Sequence, residues 1–184
     1  MKGWKGSVNE GGVKVPFFVR WDGVFEGGRD IDALSAHVDL VPTLMALVGV
    51  GGLPEGLPGR SLLGLMKGDE VSSEERFVFS AVGRWKQGSD PDASKWKGFS
   101  VRSQRYRLVG REALFDMEKD PGQQLNVIKE HAEVAAKMMA AYGAFWDGVR
   151  PLMVNEDHAL SETKPFWEAY RKQESEGGIP AWGE

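Results

Sequence analysis

The residues with the clearest capacity for chemistry stand at the start of the chain, in Lys5-Gly6-Ser7-Val8-Asn9-Glu10-Gly11-Gly12. A lysine, small polar residues, a glutamate and paired glycines precede the apolar run Val13–Trp21. A lysine ammonium is a compact point charge with three rotatable donors, suited to an anion, although on a loop it is equally suited to water. Two glycines before an apolar run serve backbone geometry, permitting positive φ or close approach of chain to chain. Other candidates are weaker. Asp39 has the chemistry of a metal ligand, but only Asp32 is a nearby carboxylate in sequence, and the position fits the cap of a helix. His37, His131 and His158 lack zinc-ligand spacing. Arg20 is a candidate for an ion pair, and the aromatic set Phe145, Trp146, Phe166, Trp167 and Trp182 reads as packing for a helix and a tail.

These residues need elements to position them. The 184 residues carry a net charge of −4, no cysteine, 24 glycines and seven tryptophans, which predicts a globular chain with tight turns and aromatic anchors rather than a helical bundle. A net negative charge without a basic run argues against nucleic acid. No stretch of about 18 apolar residues is present, so no membrane span is expected. Val13–Trp21 reads as a buried strand with Pro16 marking an edge or bulge. HVDLVPTLMALVG reads as a helix capped by Asp39, with Pro42 in its first turn, Gly49 ending it, and Leu40, Val41, Leu44, Leu47 and Val48 on the face that covers a sheet. SLLGLMKG suggests one or two further helical turns.

Composition turns polar at GDEVSSEER, and beyond it FVFSAVG, GFSVRS, RYRLV and EALFD read as four closely spaced strands. Their spacing leaves no room for crossover helices, so the sheet is predicted to be antiparallel. HAEVAAKMMAAYGAFW then gives one long helix across it, with Val134, Met138, Ala141, Tyr142 and Phe145 at helical intervals. The expected divisions are 1–67, an α/β region; 68–149, a small antiparallel sheet packed by one helix; and 150–184, an extended tail held by aromatics.

Four stretches in order resemble the C-terminal part of the sulfatase family: Lys5 to Pro16, His37 to Leu44 with Gly59-Arg60-Ser61-Leu62, Val101 to Leu108, and Glu112 to Asp116 through Asp120-Pro121-Gly122 to Asn126. The resemblance spans about residues 1 to 150 and implies the closing edge of a sulfatase-like α/β domain, then its small C-terminal subdomain. It also implies a sulfuric ester hydrolase in which Lys5 reaches the sulfate of the substrate. In the intact family, a Cys/Ser-x-Pro-x-Arg motif supplies a formylglycine nucleophile, and aspartates with an asparagine bind calcium or magnesium. Ser89-Asp90-Pro91-Asp92-Ala93 has alanine where that arginine belongs. The expectation is therefore a fragment or split chain, inactive alone, with no catalytic or metal-binding residue of its own and an N-terminal catalytic portion as partner. A non-catalytic interaction module and a phosphate or phosphonate ester hydrolase of the same superfamily are the alternatives. Secretion or a periplasmic location would follow only from a signal peptide in the intact gene.

Overall fold

The structure, a computed structural model, describes residues 1–52, 56–69, 75–82, 85, 88–153 and 164–178. Four short runs of β-branched and aromatic residues form the strands β1 (Val78–Ala81), β2 (Phe99–Arg102), β3 (Tyr106–Val109) and β4 (Ala113–Asp116). They pair in sequence order, each antiparallel to the next. The β2–β3 turn falls at Ser103 and Gln104, where the Ser103 hydroxyl accepts from the Tyr106 amide at 2.9 Å.

The register divides the sheet into two unlike faces. Val101 lies opposite Leu108, and Leu108 opposite Leu114, so these side chains share one face with Phe79 and Phe99. The long helix of this unit, Ala132–Val149, covers that face through Ala135, Met138, Tyr142 and Trp146, which are buried. Phe99 stacks on Tyr142 with ring centroids 4.1 Å apart, and Phe79 stacks on Phe145 at 4.5 Å. The helix is rotated slightly from the face expected from its sequence: Met138 and Tyr142 are inward as predicted, while Ala135 and Trp146 are buried where Val134 and Phe145 were expected. Trp146 tolerates this depth because its indole donates to Asp92 Oδ1 at 2.8 Å. The opposite face carries Ser100, Arg107 and Phe115.

Before the sheet, Glu10–Val13 forms a single helical turn, α1. Leu40–Leu47 forms α2 and Leu63–Lys67 forms α3. The helix Ala132–Val149 is therefore α4. The predicted buried strand at Val13–Trp21 does not form: Val15 and Phe18 are exposed and no ladder pairs with the segment. Its β-branched and aromatic composition needs a neighbouring strand, and none among the described residues is beside it; Pro16 removes a donor besides. Helix α2 forms as expected, with Gly49 at φ +69° after it, but its apolar stripe does not cover the small sheet. Leu40, Val41, Leu44 and Val48 are exposed, and the inward residues are Pro42 and Thr43. No helix among the described residues is long and apolar enough to cross a membrane.

Met1–Arg150 makes one compact unit and Pro151–Glu184 a second. Within the second, the tail expected to be extended contains helix α5, Pro165–Ser175. Proline at its first turn is preorganised for a helix, and Glu168, Ala169, Arg171, Lys172 and Gln173 are good helix formers. His158 and Trp182 lie outside the described residues.

Tyr142 gives the first test of this packing. Its ring is fully buried while its hydroxyl has no partner among the described residues, and burial pushes the phenol up to about 12. Tyr142→Ala is expected to cost about 3–5 kcal/mol through the cavity it leaves, whereas Tyr142→Phe is expected to leave stability unchanged or raise it by about 1 kcal/mol. Because the folded-state pKa is raised, the wild type keeps this contribution below the unfolded value near about 10 and loses it as pH climbs toward the folded value. Urea unfolding at pH 7 and across the alkaline range checks both: Tyr142→Phe removes the alkaline component, and a large loss at pH 7 would show a hydroxyl partner that the packing argument lacks.

Candidate functional site

Lys5 sits on a tight turn whose ends are tied together. The Ser7 amide donates to the Trp4 carbonyl at 2.9 Å, and the Ser7 hydroxyl accepts from the Trp4 amide at 3.2 Å. Gly6, at φ +87°, supplies the left-handed residue the turn requires. The turn then folds back on α1. Gly11 donates to the Lys2 carbonyl at 2.8 Å, and a Cβ at Gly12 would lie 2.1 Å from the Ser7 carbonyl oxygen. The paired glycines are thus structural, as their type suggested: the loop can close only where a side chain is absent. Lys5 itself is exposed, and among the described residues no carboxylate pairs with its ammonium.

The loop is fixed to the sheet face opposite α4. Arg107 on β3, nearly inaccessible, donates from Nη2 to Glu10 Oε2 and from Nη1 to the Val8 carbonyl at 3.0 Å and the Ser100 hydroxyl at 3.3 Å. Burial pulls the Arg107 guanidinium below its ordinary value and the Glu10 carboxylate opposes the shift. Arg102 is lowered by burial in the same way, with Glu10 Oε2 4.0 Å from its Nε. Gln123 completes the attachment. Its Oε1 accepts from the Glu10 amide at 2.9 Å, its Nε2 approaches Asn9 Oδ1 at 3.4 Å, and its carbonyl lies 3.4 Å from Lys2 Nζ. Lys2, the other lysine near this loop, is exposed like Lys5, but its ammonium also rests over the Phe115 ring at 4.9 Å.

Sequence reasoning missed Arg107, Gln123 and Asn9. The available signal was alternation: Arg107 stands beside Leu108 in β3, so one of the two must occupy the other face. Nothing local says that this face is covered. The role of Gln123 comes from the Asp120-Pro121-Gly122 turn, where Asp120 Oδ2 accepts from the amides of Gln124 and Leu125 at 2.6 and 2.7 Å and leaves Gln123 at φ +55°.

Asp39 is fully buried, but its carboxylate does not cap the amides of α2, as the sequence suggested. Instead it accepts from the Ala36 amide at 2.8 Å, the Arg60 amide at 3.0 Å and both terminal nitrogens of Arg76 at 2.8 and 2.9 Å. With both oxygens engaged by donors it is unsuited to a cation. Among the described residues no group of three or more histidine, aspartate or glutamate side chains could hold a metal ion. Arg20 pairs with Asp22 at 2.8 Å in full solvent exposure, a contact of little energetic weight.

The family model for the C-terminal region of N-sulphoglucosamine sulphohydrolase matches residues 3–142. The chain belongs to the sulfatase family. Mouse steryl-sulfatase is 32% identical over an alignment that takes in 82% of this chain and 28% of that protein. A Delta 4,5-hexuronate-2-O-sulfatase of Bacteroides thetaiotaomicron is 31% identical over 73% of this chain and 28% of its own length. Human arylsulfatase D is 36% identical over 53% of this chain and 16% of its own. The sulfatase segment thus spans between 16 and 28% of the length of these curated relatives. A solved protein from a glycosaminoglycan-metabolising locus of B. thetaiotaomicron shares the fold, with a TM-score of 0.58 at 21% identity, over 77% of this chain and 31% of that one.

The Asp39 cluster has a direct test. Burial pushes the Asp39 carboxyl upward, but the Arg76 guanidinium and the Arg60 and Ala36 amides outweigh it and hold the group below the usual carboxylate range. A depressed folded-state value means that the contribution is complete above the unfolded pKa of about 3.9 and is lost as pH falls through the folded value. Asp39→Asn, which leaves Arg76 without its counter-charge, is expected to cost about 3–5 kcal/mol at pH 7 and to flatten the acid limb of stability. Denaturant melts between pH 7 and 2 measure both, and an unchanged acid limb would place the pH dependence elsewhere.

Proposed function

We propose that residues 1–184 act as the C-terminal segment of a sulfuric ester hydrolase, with Lys5 holding the sulfate group of the substrate. In this reading the formylglycine nucleophile and the ligands for calcium or magnesium belong to polypeptide outside these residues. Residues 1–67 complete the catalytic α/β domain and residues 68–149 form its small C-terminal subdomain. The observation that carries the assignment is the Lys5 turn: in a sulfatase segment, an ammonium without a carboxylate partner among the described residues is presented on a loop anchored to the sheet. Lysine donates hydrogen bonds to sulfate oxygens, and its charge favours the negative charge that develops as the ester bond to the alcohol breaks.

The exposed apolar surface supports the same reading. Val15, Phe17, Phe18 and Trp21, with Leu40, Val41 and Leu44 of α2, present large side chains to solvent. The catalytic portion is the partner proposed to cover them.

Two measurements test the assignment. Purified chain with added calcium is expected to give no turnover of a chromogenic aryl sulfate, and activity that survives further purification would overturn the division of labour. In a titration with inorganic sulfate followed by NMR of the lysine ammonium groups, Lys5 is expected to respond at sulfate concentrations at least about threefold below those needed at exposed Lys14. Equal responses at the two lysines would overturn the assignment of Lys5.

A further inference from the structure

Among the described residues, the hydrogen bonds that tie the Lys5 turn to the rest of the molecule come from two residues that reach it from more than ninety positions away. Arg107 holds the Val8 carbonyl and the Glu10 carboxylate. Gln123 holds the Glu10 amide through its carboxamide oxygen, with its nitrogen toward Asn9 and its carbonyl toward Lys2. Lys5 lies between the gripped residues, Lys2 on one side and Val8 to Glu10 on the other.

Neither residue is placed as a generic surface polar group would be. Gln123 is 1% exposed and Arg107 3%. Gln123 is also the one residue other than glycine with positive φ among the described residues. A glutamine persists in that conformation, inside the protein, only where its surroundings over-determine it. Here the surroundings are the Asp120 turn on one side and the Lys5 loop on the other. The guanidinium of Arg107 is equally committed, its fork spanning a carboxylate and a backbone carbonyl that a single ammonium could not match.

We propose that Arg107 and Gln123 are positioning residues for Lys5: through Glu10, Asn9 and Val8 they fix the turn that carries the sulfate-binding ammonium. Their effect on sulfate runs through the loop and rests on the assignment of Lys5 made above. An ammonium on a loop that is already ordered loses only its own side-chain freedom on binding an anion, whereas one on an undocked loop must also order the backbone around it.

The test uses the 184-residue chain, inorganic sulfate as probe, and the variants Gln123→Met and Arg107→Lys. Methionine keeps the volume of glutamine without its hydrogen bonds, and lysine keeps the charge of arginine without its fork. In each variant the amides of Glu10, Gly11 and Gly12 are expected to exchange roughly tenfold faster. Those of Val101 and Leu108 are expected to stay protected, showing that the sheet is folded. The Lys5 response to sulfate should weaken at least about threefold, toward that of Lys14, which stays unchanged. Faster exchange at Glu10 to Gly12 with an undiminished Lys5 response in Gln123→Met would overturn the proposal while leaving Lys5 as the sulfate ligand. Unchanged exchange at those amides would overturn the clamp itself. A wild-type chain in which Lys5 responds no better than Lys14 removes the Lys5 assignment and this proposal with it.

Discussion

The pairing of Arg107 with Glu10 joins chain segments 97 residues apart and decides what the second face of the small sheet is for. A buried guanidinium is costly unless its charge is met and its donors are used. Here one carboxylate, one carbonyl and one hydroxyl meet its two terminal nitrogens, the first two from the loop that carries Lys5, while Nε has no partner among the described residues. The consequence is directional. The loop cannot leave without stranding a charge inside the sheet, so the sheet and the loop are ordered together. The Glu10 amide adds a second constraint through Gln123, and because backbone and side chain of one residue are both engaged, its rotation as well as its place is set.

The two faces divide the labour. Toward α4 the sheet is apolar and aromatic, and burial of Phe99, Val101, Leu108 and Leu114 against Met138, Tyr142 and Trp146 supplies non-directional stability, about 1.5–3 kcal/mol for each large side chain. Toward the loop it presents Ser100, Arg102 and Arg107, which contribute direction more than net stability. Polar contacts of this kind cost much to break and gain little against water, which suits them to fixing geometry. The same logic recurs around Asp39, where Arg76, the Arg60 amide and the Ala36 amide converge, and Thr43 relays from the Asp39 carbonyl to the Leu62 amide at 2.6 and 2.9 Å. Gln104 ties the β2–β3 turn to the Asp32 carbonyl and the Leu34 amide, each at 2.7 Å. Side-chain contacts of high sequence separation thus hold the Lys5 loop and the Asp32 to Leu34 segment to the sheet.

What was legible in the sequence was what is decided locally. The four strands, their antiparallel order and the long helix follow from alternation, short turns and helical spacing, all of which act within a dozen residues. The place of Gly49 after α2 and the structural role of Gly11 and Gly12 follow from backbone geometry that only glycine meets easily. What failed was inference from composition to burial. Val13–Trp21 has the residues of a buried strand, but a strand is a relation between two segments, and Val15, Phe17, Phe18, Val19 and Trp21 are exposed here. The stripe on α2 is exposed too, and the small sheet is not the one it covers. The site divides along the same line: the turn that carries Lys5 is local and was read correctly as a loop, whereas Arg107 and Gln123 act across the fold and leave no local trace. Asp39 shows the intermediate case, since its position beside a helix start was correct and its partners, Arg60 and Arg76, were not deducible from spacing.

The geometry of the loop also bears on why a lysine, rather than an arginine, suits the proposed sulfate-binding role at this point. An arginine fork recognises a planar carboxylate or phosphate edge by orientation, which requires the fork itself to be held. Lys5 is exposed, and no hydrogen bond or ion pair among the described residues orients its ammonium. A point charge needs only to be delivered to the right place. Delivery is what the loop provides, through Gly6 at the turn, the Trp4–Ser7 pair that closes it, and the Arg107 and Gln123 attachments that fix it to the sheet. Arginine appears in the same site where the opposite demand holds: Arg107 must satisfy a carboxylate and a carbonyl at once from a buried position, and only a rigid fork does that. The two cations are therefore not interchangeable, because one is held by the protein and the other holds it together.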